Sequence, residues 1–188
     1  ILILNNNSTT KELENFLYFY TSRYPAKIRS LDAHFSFNFS KLMNIGVKET
    51  VGEFVLFLNN DIEIIEPEWL TQMVTFGQQK HVGAVGARLL YPDDTIQHAG
   101  VIVGLGGIAG HAFTGLYKDD PGYFNLIQTV NNFSAVTAAC LLCRREIFEE
   151  VQGMDEQFEV EYNDVDFCLK IMEAGYYNVY VPQVELYH

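Results

Sequence analysis

Phe54-Val55-Leu56-Phe57-Leu58-Asn59-Asn60-Asp61 decides the fold. Five apolar residues in a row suit a strand covered on both faces, as in a parallel sheet. The run stops on two carboxamides and a carboxylate, residue types that close a strand into a turn. Upstream, Ile1–Leu4 reads as a buried strand and runs into the polar turn Asn5-Asn6-Asn7-Ser8-Thr9. Ser8 or Thr9 is expected to cap a helix reaching about Arg23, with Leu13, Phe16, Leu17 and Tyr20 on its inner face. A short strand at Ile28–Leu31 follows, and Asn38 or Ser40 starts a second helix with Leu42, Ile45 and Val47 inward. Downstream, Pro67 opens a third helix whose apolar side is Trp69, Leu70 and Val74. Strand–helix repeated in this way implies an α/β sheet with right-handed crossovers.

The second half changes character. Val82–Leu90 and Thr95–Val103 read as two strands around the turn Tyr91-Pro92-Asp93-Asp94. A strand is expected near Ala138–Cys143, helices at Arg145–Val151 and from Asn163 to about Ala174, and separate strands at Tyr177–Val181 and Val184–Tyr187. No repeat or linker interrupts the chain, so 1–188 reads as one domain. Its opening on Ile1 without a lead-in, and its abrupt stop at His188, read as an excerpt of a longer protein.

Composition narrows the function. The 188 residues are 48% hydrophobic and 19% charged, an ordinary globular balance, and length alone suggests one domain with a core that needs no staples. The net charge of −12 disfavours nucleic acid and anionic membrane surfaces as partners, but not a cation or a phosphorylated ligand held through one. No apolar run approaches the length of a membrane span. The chain has three cysteines; Cys140 and Cys143 are three apart in an apolar run, so on a strand they face opposite ways and read as core residues rather than a metal pair.

Ligands of open α/β sheets bind beyond the carboxyl ends of the strands. Two strand ends are polar here, Asn5-Asn6-Asn7-Ser8 and Asn59-Asn60-Asp61, and both are expected on one edge of the same sheet. Together they offer donors and acceptors for a base, a ribose and a divalent cation; singly, each is also an ordinary turn. The glycine-rich run Gly104–Gly110 lacks the spacing and the following helix of a dinucleotide loop. Glu159–Phe167 is the most acidic stretch: Asn163 is expected as N-cap, with Asp164 and Asp166 in the first turn, where the helix dipole favours carboxylates. One of these is also a candidate general base, although a helix N-terminus weakens a carboxylate in that role. His98, His111 and His188, each taken alone, read as packed or surface histidines.

In this order and spacing, Ile1–Thr9, Phe54–Asp61, Asn132–Arg145, Asn163–Lys170 and Glu185–His188 resemble bacterial family-2 glycosyltransferases of the GT-A fold, among them enzymes of O-antigen or rhamnan-type assembly. The resemblance covers nearly the whole chain. It implies a Rossmann-like three-layer α/β sandwich with a mixed, mostly parallel sheet, the family's first strand being absent from this chain. It implies a nucleotide-binding half at 1–90 and an acceptor-binding half at 91–188. The implied reaction moves a sugar from a nucleotide-diphosphate donor of UDP, dTDP or GDP type to a hydroxyl of a saccharide or lipid-linked saccharide, with inversion, in surface polysaccharide or glycoconjugate synthesis. Mn²⁺ or Mg²⁺ would neutralise the leaving diphosphate. By the same resemblance Asp164 is the base; Asn5, Asn7, Lys41, Asn44, Asn59, Asn60 and Asp61 bind the nucleotide sugar; Asn163 and Asp166 contact the acceptor; and Asp61 and His188 hold the metal. The family's D-x-D pattern is thinned here to Asn59-Asn60-Asp61, and an aspartate usual in the first-strand turn is Asn5. The expected location is cytoplasmic or the inner face of the plasma membrane, with membrane association only through missing segments or the acceptor. The rival readings are a non-catalytic nucleotide- or carbohydrate-binding module and a nucleotidyltransferase.

Overall fold

The computed structural model describes residues 1–188. The chain opens with a parallel pair, β1 (Leu2–Asn5) and β2 (Arg29–Asp32), joined by α1 (Lys11–Arg23). After α2 (Phe39–Lys48) come β3 (Phe54–Leu58), the short β4 (Glu63–Ile64), α3 (Trp69–Gly77) and β5 (Val82–Leu90). Strand β6 (Ile96–His98) turns back along β5, and β7 (Val101–Val103) with β8 (Ala109–His111) forms a separate hairpin. Then follow β9 (Asn131–Phe133), β10 (Cys140–Arg144), α4 (Arg145–Glu150), α5 (Asn163–Glu173) and β11 (Tyr177–Tyr187).

The main sheet has seven strands in the path β3-β10-β5-β11-β4, with β6 added on β5 and β9 on β11. It is mixed. Strand β10 runs antiparallel to both β3 and β5, and β11 runs parallel to β5. Strands β3, β5 and β11 therefore point one way, and their carboxyl ends share an edge. That shared direction brings Asn59-Asn60-Asp61, which follows β3, to the same edge as His188, which follows β11.

Helices cover both faces. On one face α2, α4 and α5 bury Val47, Ile147, Phe148, Phe167 and Ile171 against Phe57 and Cys143. On the other, α3 sets Trp69 and Met73 against Val85, Cys140 and Leu142. Cys140 and Cys143 thus sit in opposite cores, as their spacing requires, and burial pushes both thiols up to about 12. No helix is long and apolar enough to cross a membrane.

Two adjacent arginines lock the layers. Buried Arg144 donates to the carbonyls of Gly77 (3.0 Å), Gln79 (2.8 Å) and Lys80 (2.9 Å), where α3 ends. Arg145 donates to Val47 O (2.8 Å), Gly52 O (2.7 Å) and Thr50 Oγ1 (2.9 Å), in the last turn of α2 and just past it. Each guanidinium adds donors to carbonyls at or just past a helix end, where the ladder thins out.

Several expectations are corrected. The β1–β2 pair is a sheet of its own, so the Asn5 turn and the Asn59 turn do not end strands of one sheet. Thr10, not Ser8 or Thr9, caps α1, its side chain accepting from Leu13 N at 3.3 Å, and α1 buries no residue. Thr95–Val103 is broken at Gly100, whose φ of +98° turns the chain; a Cβ there would lie 2.4 Å from the Phe133 ring. The two closing strands are one, β11, with a register shift between Val181 and Glu185 around Pro182, a residue that cannot donate to a ladder.

Candidate active site

The turn Thr137-Ala138-Ala139, just before β10, gathers the site. Ala139 O accepts from Asn59 N (2.9 Å), fixing the end of β3. Ala138 N donates to Asp164 Oδ2 (3.1 Å). Thr137 N donates to His98 Nε2 (3.4 Å). Three consecutive residues thus tie together the end of β3, the start of α5 and the end of β6. Beside this turn lies a cleft of about 500 Å³, whose lining includes Gln97, His111, Thr137, Ala139 and His188.

His188, which lines the cleft, meets Gln97, Asn59 and Asp61. Gln97 on β6 donates through Nε2 to His188 O (3.1 Å), which leaves its Oε1 to accept from His188 Nδ1 (2.6 Å). With the proton on Nδ1, His188 Nε2 is unprotonated; its lone pair accepts from Asn59 Nδ2 (3.1 Å) and stands 3.3 Å from Asp61 Oδ1. A bare imidazole nitrogen beside a carboxylate is a donor set that suits a divalent cation, and Gln97 orients the imidazole as an outer partner does. No third His, Cys, Asp or Glu converges there.

Asp164 stands behind the Thr137–Ala139 turn, held by the Ala138 amide. The cap position of α5 is Tyr162, in the left-handed region at φ +60°, rather than the expected Asn163. A tyrosine in that conformation is uncommon and costs energy, which the surroundings must over-determine. Asn163 is the first helical residue, buried, with its amide donating to Val160 O (2.6 Å). Asp164 therefore stands at the second position, with Oδ1 taking Val165 N (2.8 Å) and Oδ2 taking Ala138 N. Asp166 is turned along its own helix to Lys170 (3.1 Å).

The remaining expected residues lie apart from this cleft. Asn5 Nδ2 donates to Asp32 Oδ1 (2.9 Å) and Ser8 O (3.1 Å), while its Oδ1 accepts from Ser8 N (3.1 Å). Asn7 donates to Phe35 O (2.9 Å), and Lys41 lies 4.5 Å over the Phe35 ring. Asn44 is a staple: its amide spans Met154 O (2.9 Å) and Met154 N (3.0 Å), fastening α2 to the loop before α5. Asn60 is exposed beside Asp61.

Gln97, in the cleft, goes unremarked in the sequence, and His98 and His111, read there as packed or surface histidines, form a pair beside it. Buried His98 meets His111 through Nδ1···Nδ1 (3.0 Å). Burial, reinforced by the neighbouring His111, holds His98 well below the usual histidine range. Burial also lowers His111, against the opposing pull of the Asp164 carboxylate.

Comparison with known proteins agrees with this fold. Residues 1–152 match the family described as Glycosyl transferase family 2. An uncharacterized protein, y4gI, of Sinorhizobium fredii is 48% identical over 163 residues, covering 86% of this chain and 18% of its own length. The O-antigen biosynthesis protein RfbC of Myxococcus xanthus is 39% identical over 189 residues, covering 100% of this chain and 15% of its own. The chain thus spans less than a fifth of the length of either relative. Among solved structures, GalNAc-T7 with UDP, GalNAc and Mn²⁺ superposes with a TM-score of 0.78 at 14% identity, over 100% of this chain and 37% of that one. The mannosyltransferase PcManGT of Pyrobaculum calidifontis, in complex with GDP-Man and Mn²⁺, gives 0.70 at 14% identity, over 100% and 46%.

Proposed function

Because the chain belongs to glycosyl transferase family 2, we propose that its cleft transfers a sugar from a nucleotide-diphosphate donor to a saccharide hydroxyl, with inversion, in surface polysaccharide synthesis. The observation that carries this reading is the turn Thr137–Ala139, which lines the cleft and holds both Asn59, at the end of β3, and Asp164, at the start of α5.

Asp61 and His188 would hold Mn²⁺ or Mg²⁺, and the metal would supply positive charge to offset that of the departing diphosphate. The protein offers those two ligands and leaves the other positions to donor oxygens or water. Asn59 holds the imidazole towards Asp61. Asp164 takes the proton of the attacking hydroxyl; its carboxylate is fixed by two backbone amides, so it reaches the acceptor without having to be ordered first. Attack from the face opposite the departing diphosphate would invert the anomeric carbon. Residues 1–90 supply the donor corner through Asn59 and Asp61, and 91–188 the acceptor side, with His188 crossing to the donor. Asn5, Asn7 and Lys41 are proposed to reach the nucleotide from the small sheet and α2, and Asn163 and Asp166 to support the acceptor side by holding Asp164's helix.

The relative in O-antigen biosynthesis favours a saccharide or lipid-linked saccharide acceptor, and the UDP and GDP complexes of the structural neighbours favour donors of that kind. The test is titration of UDP, GDP and dTDP into the intact protein with Mn²⁺ or with EDTA, followed by assay of their sugars. Asp164→Asn is expected to lower turnover by about 10²- to 10⁴-fold with donor binding retained, the scale of one acid–base group. Asp61→Ala is expected to remove the Mn²⁺-dependent part of donor binding. Metal-dependent binding without turnover in the wild type would favour a binding module, and full turnover in both variants would overturn the assignment.

A further inference from the structure

We propose that His98 and His111 form a two-imidazole relay that presents a neutral N–H donor to the acceptor saccharide, His111 touching the sugar and His98 positioning His111. The inference rests on the transfer reading above and extends it to a residue that sequence reasoning set aside.

The hydrogen-bond partners assign the protons. His98 Nε2 faces two backbone N–H groups, Gly100 N (3.3 Å) and Thr137 N (3.4 Å). Both can only donate, so His98 Nε2 must be bare and its proton must lie on Nδ1. That proton points at His111 Nδ1, 3.0 Å away, so His111 Nδ1 must accept and its own proton must lie on Nε2. A doubly protonated ring at either place would set two N–H groups against each other. The pair is therefore neutral, in agreement with the lowered proton affinity of both rings. His98 is fully buried and cannot reorient, whereas His111 lines the cleft with Nε2–H uncommitted to any protein group.

The position favours the acceptor over the donor. His111 feels the charge of Asp164, the group that must meet the attacking hydroxyl. The cation corner at Asp61 and His188 has its own orienting residue, Gln97. The adjacent amides of Thr137 and Ala138 anchor His98 and Asp164 respectively, so the relay and the base are registered to each other through one turn. A sugar presents several hydroxyls. One can be deprotonated by Asp164 while a neighbouring oxygen accepts from His111, and a neutral donor there sets no fixed positive charge against proton abstraction.

Two readouts test this in the intact protein. Long-range ¹H–¹⁵N spectra of the imidazole nitrogens are expected to show His98 protonated on Nδ1 and His111 on Nε2, whether or not turnover is found. The other tautomer at either ring overturns the relay. In kinetics, His111→Asn keeps an acceptor atom for His98 but removes the distal donor. It is expected to raise the acceptor KM by about threefold to tenfold, one neutral hydrogen bond, with the donor KM unchanged. His111→Gln, which returns an amide donor near the Nε2 position, is expected to recover part of that loss. His98→Asn is expected to shift the acceptor KM in the same direction as His111→Asn. An unchanged acceptor KM in His111→Asn, or a rise confined to the donor KM, overturns the proposal. If the wild type transfers no sugar, the transfer reading fails separately. Methyl N-acetylglucosaminide and methyl rhamnoside titrated against the His111 Nε2 resonance then decide the contact, a shift supporting it and no shift overturning it.

Discussion

Every residue of β5 is buried, whereas no residue of β1, β2 or α1 is. The two regions share a strand–helix pattern but bury it differently. The seven-stranded sheet is sandwiched between helices and carries Asn59, Asp61 and His188 at one edge, with Asp164 tied to it by the Ala138 amide. The β1–β2 sheet carries Asn5, and α1 exposes Phe16, Tyr18 and Phe19. The proposed cation and proton chemistry thus rests on the well-packed region, and the proposed base-binding turn on the loosely packed one. Such a division puts precision where bonds break and tolerance where a ligand is first held.

The sharpest break of this comparison is a pair of truncations. Phe167 is fully buried against Phe57 and Phe148, so Phe167→Ala is expected to cost about 3–5 kcal/mol in guanidinium unfolding. Phe16 is about half exposed at 49%, and Phe16→Ala is expected to cost below about 1 kcal/mol. Equal costs would mean that α1 is as well packed as the main sheet. Next comes Arg144→Ala, which strips three carbonyls of a buried cationic donor and is expected to cost about 2–3 kcal/mol. Amide exchange should then rise first at the end of α3, with β1 and β2 unaffected.

The same contrast explains what the sequence revealed. Val82–Leu90 is read to the residue because a strand buried on both faces is apolar without interruption. Cys140 and Cys143 are placed in opposite cores by a two-residue period alone. Asp61, His188 and Asp164 were legible as polar groups at strand or helix ends, since the shared strand direction does the rest. Other residues were not. A period that puts Leu13, Phe16, Leu17 and Tyr20 on one face says nothing of whether a partner covers that face, and in α1 none of them is buried. Asn44 and Asn163 look like free amides in the sequence but spend themselves on backbone more than a turn away or just upstream. His98 and His111, thirteen residues apart across a broken strand, acquire meaning only once the hairpin closes.

Acid should weaken the main sheet selectively. An unfolded histidine gains a proton below about pH 6.5, but burial keeps folded His98 neutral to lower pH, and His111 is lowered as well. Below that value the unfolded chain binds more protons than the folded one, so stability is present above about pH 6.5 and is lost as pH falls towards the folded values. Thermal melts between pH 7 and pH 5 are expected to show a falling Tm, with a shallower slope in His98→Gln. An unchanged slope would place the acid sensitivity elsewhere, among the carboxylates.

The smallest expected effect concerns Asn5, and it separates the two regions most finely. Its amide donates to Asp32 and closes the turn on Ser8, so it is already spent on holding β1 to β2. Asn5→Ala should cost about 1 kcal/mol of local stability and reduce nucleotide binding only as far as the turn loosens. Asn5→Asp is the more telling change, because it installs the aspartate that the family resemblance leads one to expect. A carboxylate there would face Asp32 at the 2.9 Å now bridged by an N–H, and two like charges at that distance repel. Nucleotide affinity measured by calorimetry is therefore expected to stay level or fall in Asn5→Asp. Tighter binding would mean that the Asp32 contact yields when the ligand arrives, and that the small sheet rearranges around the nucleotide while the large one stays fixed.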